Sequence, residues 1–245
     1  MRLAIVSDIH GNLPALEAVA KDIARRGVDA VVNLGDSLSG PLLPLETAQF
    51  LMDQHWLHLA GNHERQILAE DGGQWSAADE FARTQLGAKE FVWISSLRPC
   101  VRYSPEVLLC HGTPRSDVEY FLETVERTHV RAATQREVDE RLGAVAGELV
   151  VCGHTHVPRS IRASTGQLVV NPGSVGQQAY NDDDPHPHVI ETGSPDARYA
   201  IVDRLDDKWI SLLIAVPYAY QAMAKLALAR ERPDWAHALS SGRMS

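Results

Sequence analysis

Five short motifs carry side chains that could bind divalent metal ions or move protons. In chain order they are Asp8-Ile9-His10, Gly35-Asp36, Gly61-Asn62-His63-Glu64, Cys110-His111-Gly112 and Gly153-His154-Thr155-His156. Carboxylate, carboxamide and imidazole groups suit a pair of divalent ions, which can hydrolyse a phosphate ester near neutral pH through a bridging hydroxide. A single Gly-His or Gly-Asp pair would be weak evidence, because such dipeptides arise by chance. The full set predicts a catalytic metal centre.

The spacing within the motifs suggests how the ligands would be shared. Asp8 and His10 lie two positions apart, as do His154 and His156, so each pair can face one ion from an extended segment. Asp36 follows an apolar run and stands beside a glycine, which makes it the best candidate to bridge two ions. The remaining motifs supply further ligands at their own loops.

Asn62 would add a neutral oxygen ligand and His111 a nitrogen ligand. His63, next to Asn62, is then free to donate a proton or to support the ligands from behind. Arg65 and Arg115 are the basic residues nearest to two of these loops. They could hold a substrate phosphate, or they could be ordinary solvated arginines.

Each motif comes directly after a short apolar run. The runs are Leu3–Val6, Ala30–Leu34, Leu57–Ala60, Val107–Cys110 and Leu149–Cys152. Short runs rich in β-branched residues are typical of buried strands. Polar residues in the loops just beyond such strands form the usual active site of an α/β sheet. We therefore expect the motifs to meet at one edge of the fold.

The order of the remaining elements predicts two packed mixed sheets with helices outside. Helices over Pro14–Arg26 (capped by Asn12 and ended at Gly27) and Leu45–Gln54 alternate with the first strands, which favours parallel pairing. Three later segments are predicted to be helical: Arg65–Leu97, the charged stretch Tyr120–Leu142, and Tyr218–Ala229. Hairpins are predicted near residues 101–110, 159–170 and 199–216, and a loop or mobile segment at 181–195. Residues 1–245 are predicted to be one domain, with 196–245 a hairpin and helix on the same core.

The motif set resembles the calcineurin-like metallophosphoesterase superfamily, whose pattern is D-x-H, G-D, G-N-H-[D/E], H and G-H-x-H. The longer forms Asp8-Ile9-His10-Gly11-Asn12 and Asn171-Pro172-Gly173-Ser174-Val175 are similar to its small prokaryotic phosphodiesterase branch. The chain departs from many relatives after Gly176, where Gln177-Gln178-Ala179 stands in place of a Pro-Arg pair. The resemblance therefore says more about the metal centre than about the rim that faces the substrate.

The resemblance implies an α/β/β/α four-layer sandwich with a dinuclear metal site at the carboxyl ends of the strands. It also implies that His63 lies near the leaving group and that Glu64 orients it. A surface role is the alternative for Glu64. The ligands it implies are Asp8, His10, Asp36 and His156 for one ion, and Asp36, Asn62, His111 and His154 for the other.

Composition narrows the possible partners. The net charge of −9 argues against a large nucleic-acid footprint, which would need clustered Lys and Arg. Cys100, Cys110 and Cys152 have no C-x-x-C spacing and are expected to be reduced thiols. The N-terminal apolar run is too short for a signal peptide, and Pro217 and several polar residues interrupt Trp209–Ala229, so we expect a cytoplasmic protein without a membrane span.

The sequence therefore predicts divalent-metal-dependent hydrolysis of small phosphate esters, phosphodiesters or phosphomonoesters, with a nucleotide as one possible substrate. Manganese is the expected metal, with Fe, Zn, Co and Ni as alternatives. A dinucleoside polyphosphate hydrolase is the alternative enzyme. A DNA nuclease is disfavoured by the acidic charge, and a non-catalytic scaffold of the same fold is disfavoured because no ligand position is missing.

Overall fold

The computed structural model describes residues 1–70 and 75–245, whose strands include two five-stranded sheets. In the described chain the strands are β1 (Arg2–Val6), β2 (Ala30–Asn33), β3 (Leu57–His58), β4 (Cys100–Ser104), β5 (Val107–Cys110), β6 (Glu123–Val125), β7 (Val130–Ala132), β8 (Leu149–Val151), β9 (Arg159–Arg162), β10 (Leu168–Asn171), β11 (Ala179–Asp182), β12 (His188–Glu191), β13 (Ala197–Leu205) and β14 (Lys208–Val216). The helices are α1 (Leu13–Arg26), α2 (Pro44–Met52), α3 (Asn62–Leu68), α4 (Ala77–Gln85), α5 (Ala88–Ser96), α6 (Gln135–Leu142), α7 (Tyr220–Ala229) and α8 (Pro233–Ser241).

Both large sheets combine three parallel strands with antiparallel strands, at one edge of the first sheet and at both edges of the second. The first has the order β14-β13-β1-β2-β3, in which β1, β2 and β3 are parallel and the β13–β14 hairpin is added antiparallel to β1. The second has the order β4-β5-β8-β10-β9, with β5, β8 and β10 parallel and antiparallel strands at both edges. The carboxyl ends of the parallel strands are where the five motifs occur.

Alternate side chains of the strands point to opposite faces of each sheet, one face towards the other sheet and one towards the outer helices. Leu3 and Ile5 of β1 pack in one apolar cluster with Val107 and Leu109 of β5, so this cluster fills the space between the sheets. The intervening residues face outward. Ala4 and Val6 join a cluster with α1, whereas Leu108, Cys110 and Val150 pack in a cluster with α6. The predicted α/β/β/α arrangement of two mixed sheets flanked by helices is confirmed.

Several local predictions hold. Helix α1 begins after Asn12, whose side chain accepts a hydrogen bond from the Ala15 N–H, and ends at Gly27 with φ of 67°. The three predicted hairpins are present as β4–β5, β9–β10 and β13–β14. The three cysteines are free thiols, as predicted. Among the described residues, no helix has both the length and the apolar character needed to cross a membrane.

The charged helix predicted over Tyr120–Leu142 is wrong in its first half. Residues 123–132 form the β6–β7 hairpin, and the helix begins only after Thr134, whose hydroxyl caps α6. The reason is tertiary: the buried carboxylate of Glu123 accepts hydrogen bonds from Thr155 Oγ1 and Arg159 Nε, both at 2.7 Å. These contacts fix an extended backbone that local charge spacing does not reveal.

Other boundaries also differ from the sequence prediction. The predicted loop at 181–195 contains most of a second small hairpin, β11–β12, in which Asp182 pairs with His188. The helical pattern over 65–97 is divided among α3, α4 and α5, and its Gly72-Gly73 pair lies outside the described residues. Beyond the predicted C-terminal helix the chain forms a second helix, α8, which packs against α7 through Trp235 and Leu239.

Candidate active site

The structure brings the predicted metal ligands together at the carboxyl ends of the parallel strands. Their candidate ligand atoms form two groups, and within each group these atoms lie within 4.8 Å of one another. Asn62 adjoins the second group, because its Oδ1 is 3.2 Å from His111 Nε2. The first group is Asp8, His10 and His156, and the second is Asp36, His111 and His154. This division follows the one that the resemblance implies.

Most of these residues have an uncommon backbone conformation. The φ angles are positive for Asp8 (56°), His10 (52°), Asp36 (52°), His154 (67°) and His156 (59°). A non-glycine residue in the left-handed region is strained by roughly 1–3 kcal/mol and persists only where its surroundings hold it. Here main-chain hydrogen bonds do so, such as the one from the His10 N–H to the Asp36 carbonyl at 3.1 Å. The loops are thereby fixed before any ligand binds.

The four histidines each use one ring nitrogen to reach a backbone carbonyl. Nδ1 of His10 lies 2.7 Å from Ser39 O; Nδ1 of His111 lies 2.9 Å from Leu34 O. Metal-ligating histidines ordinarily donate their second N–H in this way, which fixes the tautomer.

The same pattern continues in the last motif. Nδ1 of His156 lies 2.8 Å from Gln177 O, whereas for His154 it is Nε2 that lies 3.1 Å from Val118 O. His154 therefore has Nδ1, and the other three have Nε2, directed at the other members of the ligand groups. The Nε2 atoms of His10 and His156 are only 3.1 Å apart, as expected of two lone pairs directed at one cation.

The carboxylate of Asp8 provides the clearest test of whether a metal fits. Asp8 is fully buried, and neither of its side-chain oxygens has a hydrogen-bond partner among the described residues. Burial raises the pKa of Asp8, but the neighbouring His156 and His111 outweigh this and lower it. An ionised carboxylate buried without hydrogen bonds is unfavourable unless it is paired or coordinates a metal. The donor set therefore fits divalent cations.

Burial and neighbouring charges separate the pKa values of the imidazoles. Burial, followed by repulsion from His156 and His63, lowers the pKa of His10 to about 3. Burial and His111 lower the pKa of His154 to about 4. Burial also lowers the pKa of His111, but the carboxylate of Asp36, 3.0 Å from its Nε2, outweighs this and raises the pKa to about 10. His10 and His154 are thus neutral and ready to act as ligands at pH 7.

His63 is oriented by an aspartate that the sequence did not single out. Its Nδ1 is 2.7 Å from Oδ1 of Asp79, at the start of α4, and its Nε2 is 4.0 Å from Oδ2 of Asp36. Burial lowers the pKa of His63, but Asp36 and Asp79 outweigh it and raise the pKa to about 9. The Ser76-x-x-Asp79 motif is typical of a capping box at the start of a helix. The motif alone does not indicate that the Asp79 carboxylate also contacts His63.

The expected contact between Glu64 and the His63 imidazole is not formed. The buried Glu64 carboxylate instead accepts three backbone hydrogen bonds of 2.8 Å, from the N–H groups of Asp36, Ser37 and Gly61. It therefore joins the loop that carries Asp36 to the loop that carries Asn62. A side chain at Gly61 would overlap the Asp36 carboxylate, so glycine is required for this approach.

Arg65 and Arg115 lie outside the cavity that contains the ligand groups. Arg65 forms a forked pair with Asp117, with Nε 2.7 Å from the carboxylate, and Arg115 forms one with Glu119, with Nη2 2.6 Å away. Both arginine side chains are more than half exposed. The structure therefore gives no support to the hypothesis that they hold a substrate phosphate.

The turn at 171–175 supports the site from behind. Nδ2 of Asn171 donates to the Gly153 carbonyl at 2.8 Å, and the Ser174 hydroxyl donates to the Asp8 carbonyl at 2.7 Å. Neither side chain belongs to the ligand groups. The turn thus holds the first and last motifs next to each other.

The main cavity, of about 320 Å³, has walls that the motifs did not predict. Besides the ligand loops, it is lined by Tyr180 and Asp182 of β11 and by Arg232 and Trp235 near the start of α8. The Tyr180 ring packs 4.8 Å from the His156 ring, and Trp235 packs 6.0 Å from the His10 ring. These residues lie in segments without a recognisable motif, so only the fold reveals their position.

Comparison with known proteins agrees with this geometry. Residues 1–193 match the calcineurin-like phosphoesterase superfamily domain, which leaves α7 and α8 outside the matched range. A crystal structure of a metallophosphoesterase from Sphaerobacter thermophilus is 26% identical, covers 99% of this chain and 100% of its own, and superimposes with a TM-score of 0.78.

Two further proteins are similar over nearly their full length. An uncharacterized protein from Methanocaldococcus jannaschii is 24% identical over 95% of this chain and 94% of its own. A hypothetical protein from Pyrococcus horikoshii OT3 shares the fold, with a TM-score of 0.71, 16% identity and coverage of 100% of this chain and 99% of its own. Together with the convergent ligand groups, the match over most of the chain shows that this protein belongs to the calcineurin-like phosphoesterase superfamily, a family of metal-dependent phosphoester hydrolases.

Proposed function

We propose that this protein hydrolyses small phosphate esters, phosphodiesters or phosphomonoesters, at a centre of two divalent ions. The observation that carries the proposal is the convergence of two carboxylate–imidazole groups, one of which contains the buried Asp8 carboxylate, whose oxygens accept no hydrogen bond among the described residues. One ion would be held by Asp8, His10, Asp36 and His156. The other would be held by Asp36, Asn62, His111 and His154. The nitrogen and oxygen donors suit manganese first, with Fe, Zn, Co or Ni as alternatives.

Bound divalent ions would neutralise charge at phosphorus and make a water molecule nucleophilic near neutral pH. Asp36 is the residue we assign to both ions, as the family pattern implies. Its Oδ2 is 3.0 Å from His111 Nε2, and its Oδ1 accepts the His63 N–H at 2.9 Å. Glu64 holds the Asp36 backbone in place. The chain therefore presents a fixed carboxylate in the second ligand group, and we propose that it also reaches the first ion.

His63 is the residue we assign to proton transfer. Asp79 binds its Nδ1, which leaves Nε2 to face the cavity. A protonated imidazole at that position can give its proton to the departing oxygen, a contribution typically worth ~10²–10⁴-fold in rate.

The test is a panel of monoesters and diesters assayed with Mn²⁺, using wild type, Asp36→Asn and the exposed control Asp53→Asn. We expect Asp36→Asn to retain less metal and to lose at least about 100-fold in kcat. We expect Asp53→Asn to behave as wild type. Wild-type turnover by Asp36→Asn would refute the shared-ligand role, and full activity in verified metal-free protein would refute the proposed function.

A further inference from the structure

The main cavity extends beyond the ligand groups to a wall built by the end of the chain. We name as the distal wall the six residues Asn181, Asp182, Arg232, Asp234, Trp235 and Met244, all of which line that cavity. The wall combines an apolar edge from Trp235 and Met244 with polar groups from the other four. It is separate from the residues that we assign to metal binding and proton transfer.

The distal wall lies close to His63, the residue that we assign to protonating the leaving group. The His10 ring is 5.4 Å from the His63 ring and 6.0 Å from the Trp235 ring, so His63 and Trp235 flank the same imidazole. Ala78, one residue before Asp79, lines the cavity and packs in the apolar cluster that contains Trp235. A group attached to the oxygen that His63 protonates would therefore extend towards this wall.

The distal wall is held firmly in place. Trp235 is 6% exposed and packs in an apolar cluster with Leu42 and Met223. Beyond α8, the Gly242 carbonyl accepts hydrogen bonds from the N–H groups of Thr192 and Gly193, at 3.1 and 2.9 Å. A site whose walls are fixed in advance loses less conformational entropy when a ligand binds. The wall therefore has the rigidity that a recognition surface needs.

The charges on the distal wall disfavour an anionic group. Arg232 is the one Lys or Arg among the described residues that line the cavity, and its Nε and Nη2 are bound to Asp234 at 3.0 and 2.6 Å. Asp182 adds a second carboxylate, so the formal charge of the wall is negative. A polyphosphate chain would meet repulsion here, because its recognition relies on cations.

Arg232 can still recognise an uncharged ligand. A guanidinium has five N–H donors, and only two of its nitrogens are hydrogen-bonded in the part of the chain that the structure describes. The Asn181 amide and the carboxylates can accept hydrogen bonds from hydroxyl groups. The cavity of about 320 Å³ is at the small end for ligand sites and has room for a phosphoryl group plus one organic group.

We propose that the distal wall binds the leaving group of the ester, and that this group is a single uncharged, hydroxyl-bearing organic unit the size of a nucleoside. The inference rests on the proposed hydrolysis and adds its substrate class. It selects simple esters over dinucleoside polyphosphates.

The first experiment uses thymidine 5′-methyl phosphate, a diester in which either thymidine or methanol can leave. With Mn²⁺, the wild type should release mainly thymidine. Arg232→Gln should shift the thymidine-to-methanol ratio about 10-fold towards methanol, because it removes a charged hydrogen-bond donor. Trp235→Phe should shift it in the same direction. His237→Gln, an exposed change on the same helix, should leave the ratio unchanged.

If the enzyme accepts only monoesters, the corresponding quantity is kcat/KM for thymidine 5′-monophosphate relative to methyl phosphate, with the same variants and the same expected shift. Absence of hydrolysis of every ester by metal-loaded wild type would refute the proposed function itself. Hydrolysis with a ratio that Arg232→Gln and Trp235→Phe leave unchanged would refute the distal wall alone.

The second experiment tests the charge argument. At low ionic strength, wild type should have a lower kcat/KM for a di-thymidine tetraphosphate than for the preferred thymidine ester. Asp182→Asn and Asp234→Asn should each raise tetraphosphate hydrolysis several-fold, by removing repulsion and, for Asp234, by releasing Arg232. A wild-type preference for the tetraphosphate would overturn the inference.

Discussion

Replacing Asp79 by asparagine tests how the structure controls the proposed acid. The Asp79 carboxylate accepts a 2.7 Å hydrogen bond from Nδ1 of His63. Asparagine keeps the size and an acceptor oxygen but removes the charge. A hydrogen bond to a charged group contributes about 1.5–3 kcal/mol, which corresponds to a loss of about 10- to 150-fold in kcat if the bond is needed in the transition state. The metal ligands should be unaffected, because Asp79 contacts none of the residues that we assign to the ions through its side chain.

The assay compares an alkyl or nucleoside ester with a p-nitrophenyl ester, together with metal content. Since nitrophenolate departs without a proton, the loss in Asp79→Asn should be much larger on the alkyl ester. Asp79 also closes the capping box of α4, so Glu90→Gln, at the same position of the capping box of α5, serves as the matched control. Equal losses on both esters, or loss of metal from Asp79→Asn, would refute the reasoning.

Two further predictions concern stability. Glu64→Ala leaves three buried backbone N–H groups without their acceptor, so it should lower the free energy of unfolding, measured by urea titration, by about 3–6 kcal/mol. The control Arg65→Gln breaks only an exposed ion pair and should change the free energy of unfolding by less than about 1 kcal/mol. Burial raises the pKa of Asp22, but hydrogen bonds from Arg26 and Tyr199 outweigh it and lower the pKa below its ordinary value of 3.8. The ionised Asp22 therefore stabilises the folded state fully above pH 3.8 and progressively less as the pH falls below that value. The difference in unfolding free energy between wild type and Asp22→Asn should be constant from neutral pH to about pH 5 and should shrink below pH 3.8. A difference that grows on acidification would contradict this.

The metal-ligand set could be predicted because its chemistry and its positions in the chain coincide. Asp8, Asp36 and His111 each follow an apolar run that forms a strand, and parallel pairing then brings the loops to one edge. This inference needs only local patterns and a general rule about sheets. It did not need the identity of any side chain elsewhere in the fold.

The surroundings of the ligands could not be predicted in the same way, because long-range contacts define them. Asp79 carries the signature of a helix cap, and its second role depends on where α4 lies relative to His63. Glu64 is adjacent to His63 in the chain, yet the direction of the first turn of α3 points its carboxylate at Ser37 and the neighbouring backbone. The contact between Glu64 and His63 that the resemblance implies is therefore replaced by one between Asp79 and His63.

The second small hairpin and the distal wall show the same limit. The stretch 181–195 contains acidic residues and prolines that are typical of loops, but Tyr180 and His188 are ordered by hydrogen bonds to the Tyr120 hydroxyl at 2.7 and 2.9 Å. Arg232 belongs to no motif, and it reaches the cavity only because α8 folds back over the ligand loops. Substrate recognition is thus encoded in the packing of segments rather than in their local patterns.

The central claim is that the ligand groups hold two ions on which hydrolysis depends. The test is a titration of metal-free wild-type protein with Mn²⁺. Bound metal is measured by elemental analysis, and the hydrolysis rates of bis(p-nitrophenyl) phosphate and of p-nitrophenyl phosphate are measured in the same samples. We expect no turnover without metal and a plateau of activity at two equivalents per chain on at least one of the two esters. A plateau at one equivalent, or full activity in the metal-free sample, would contradict it.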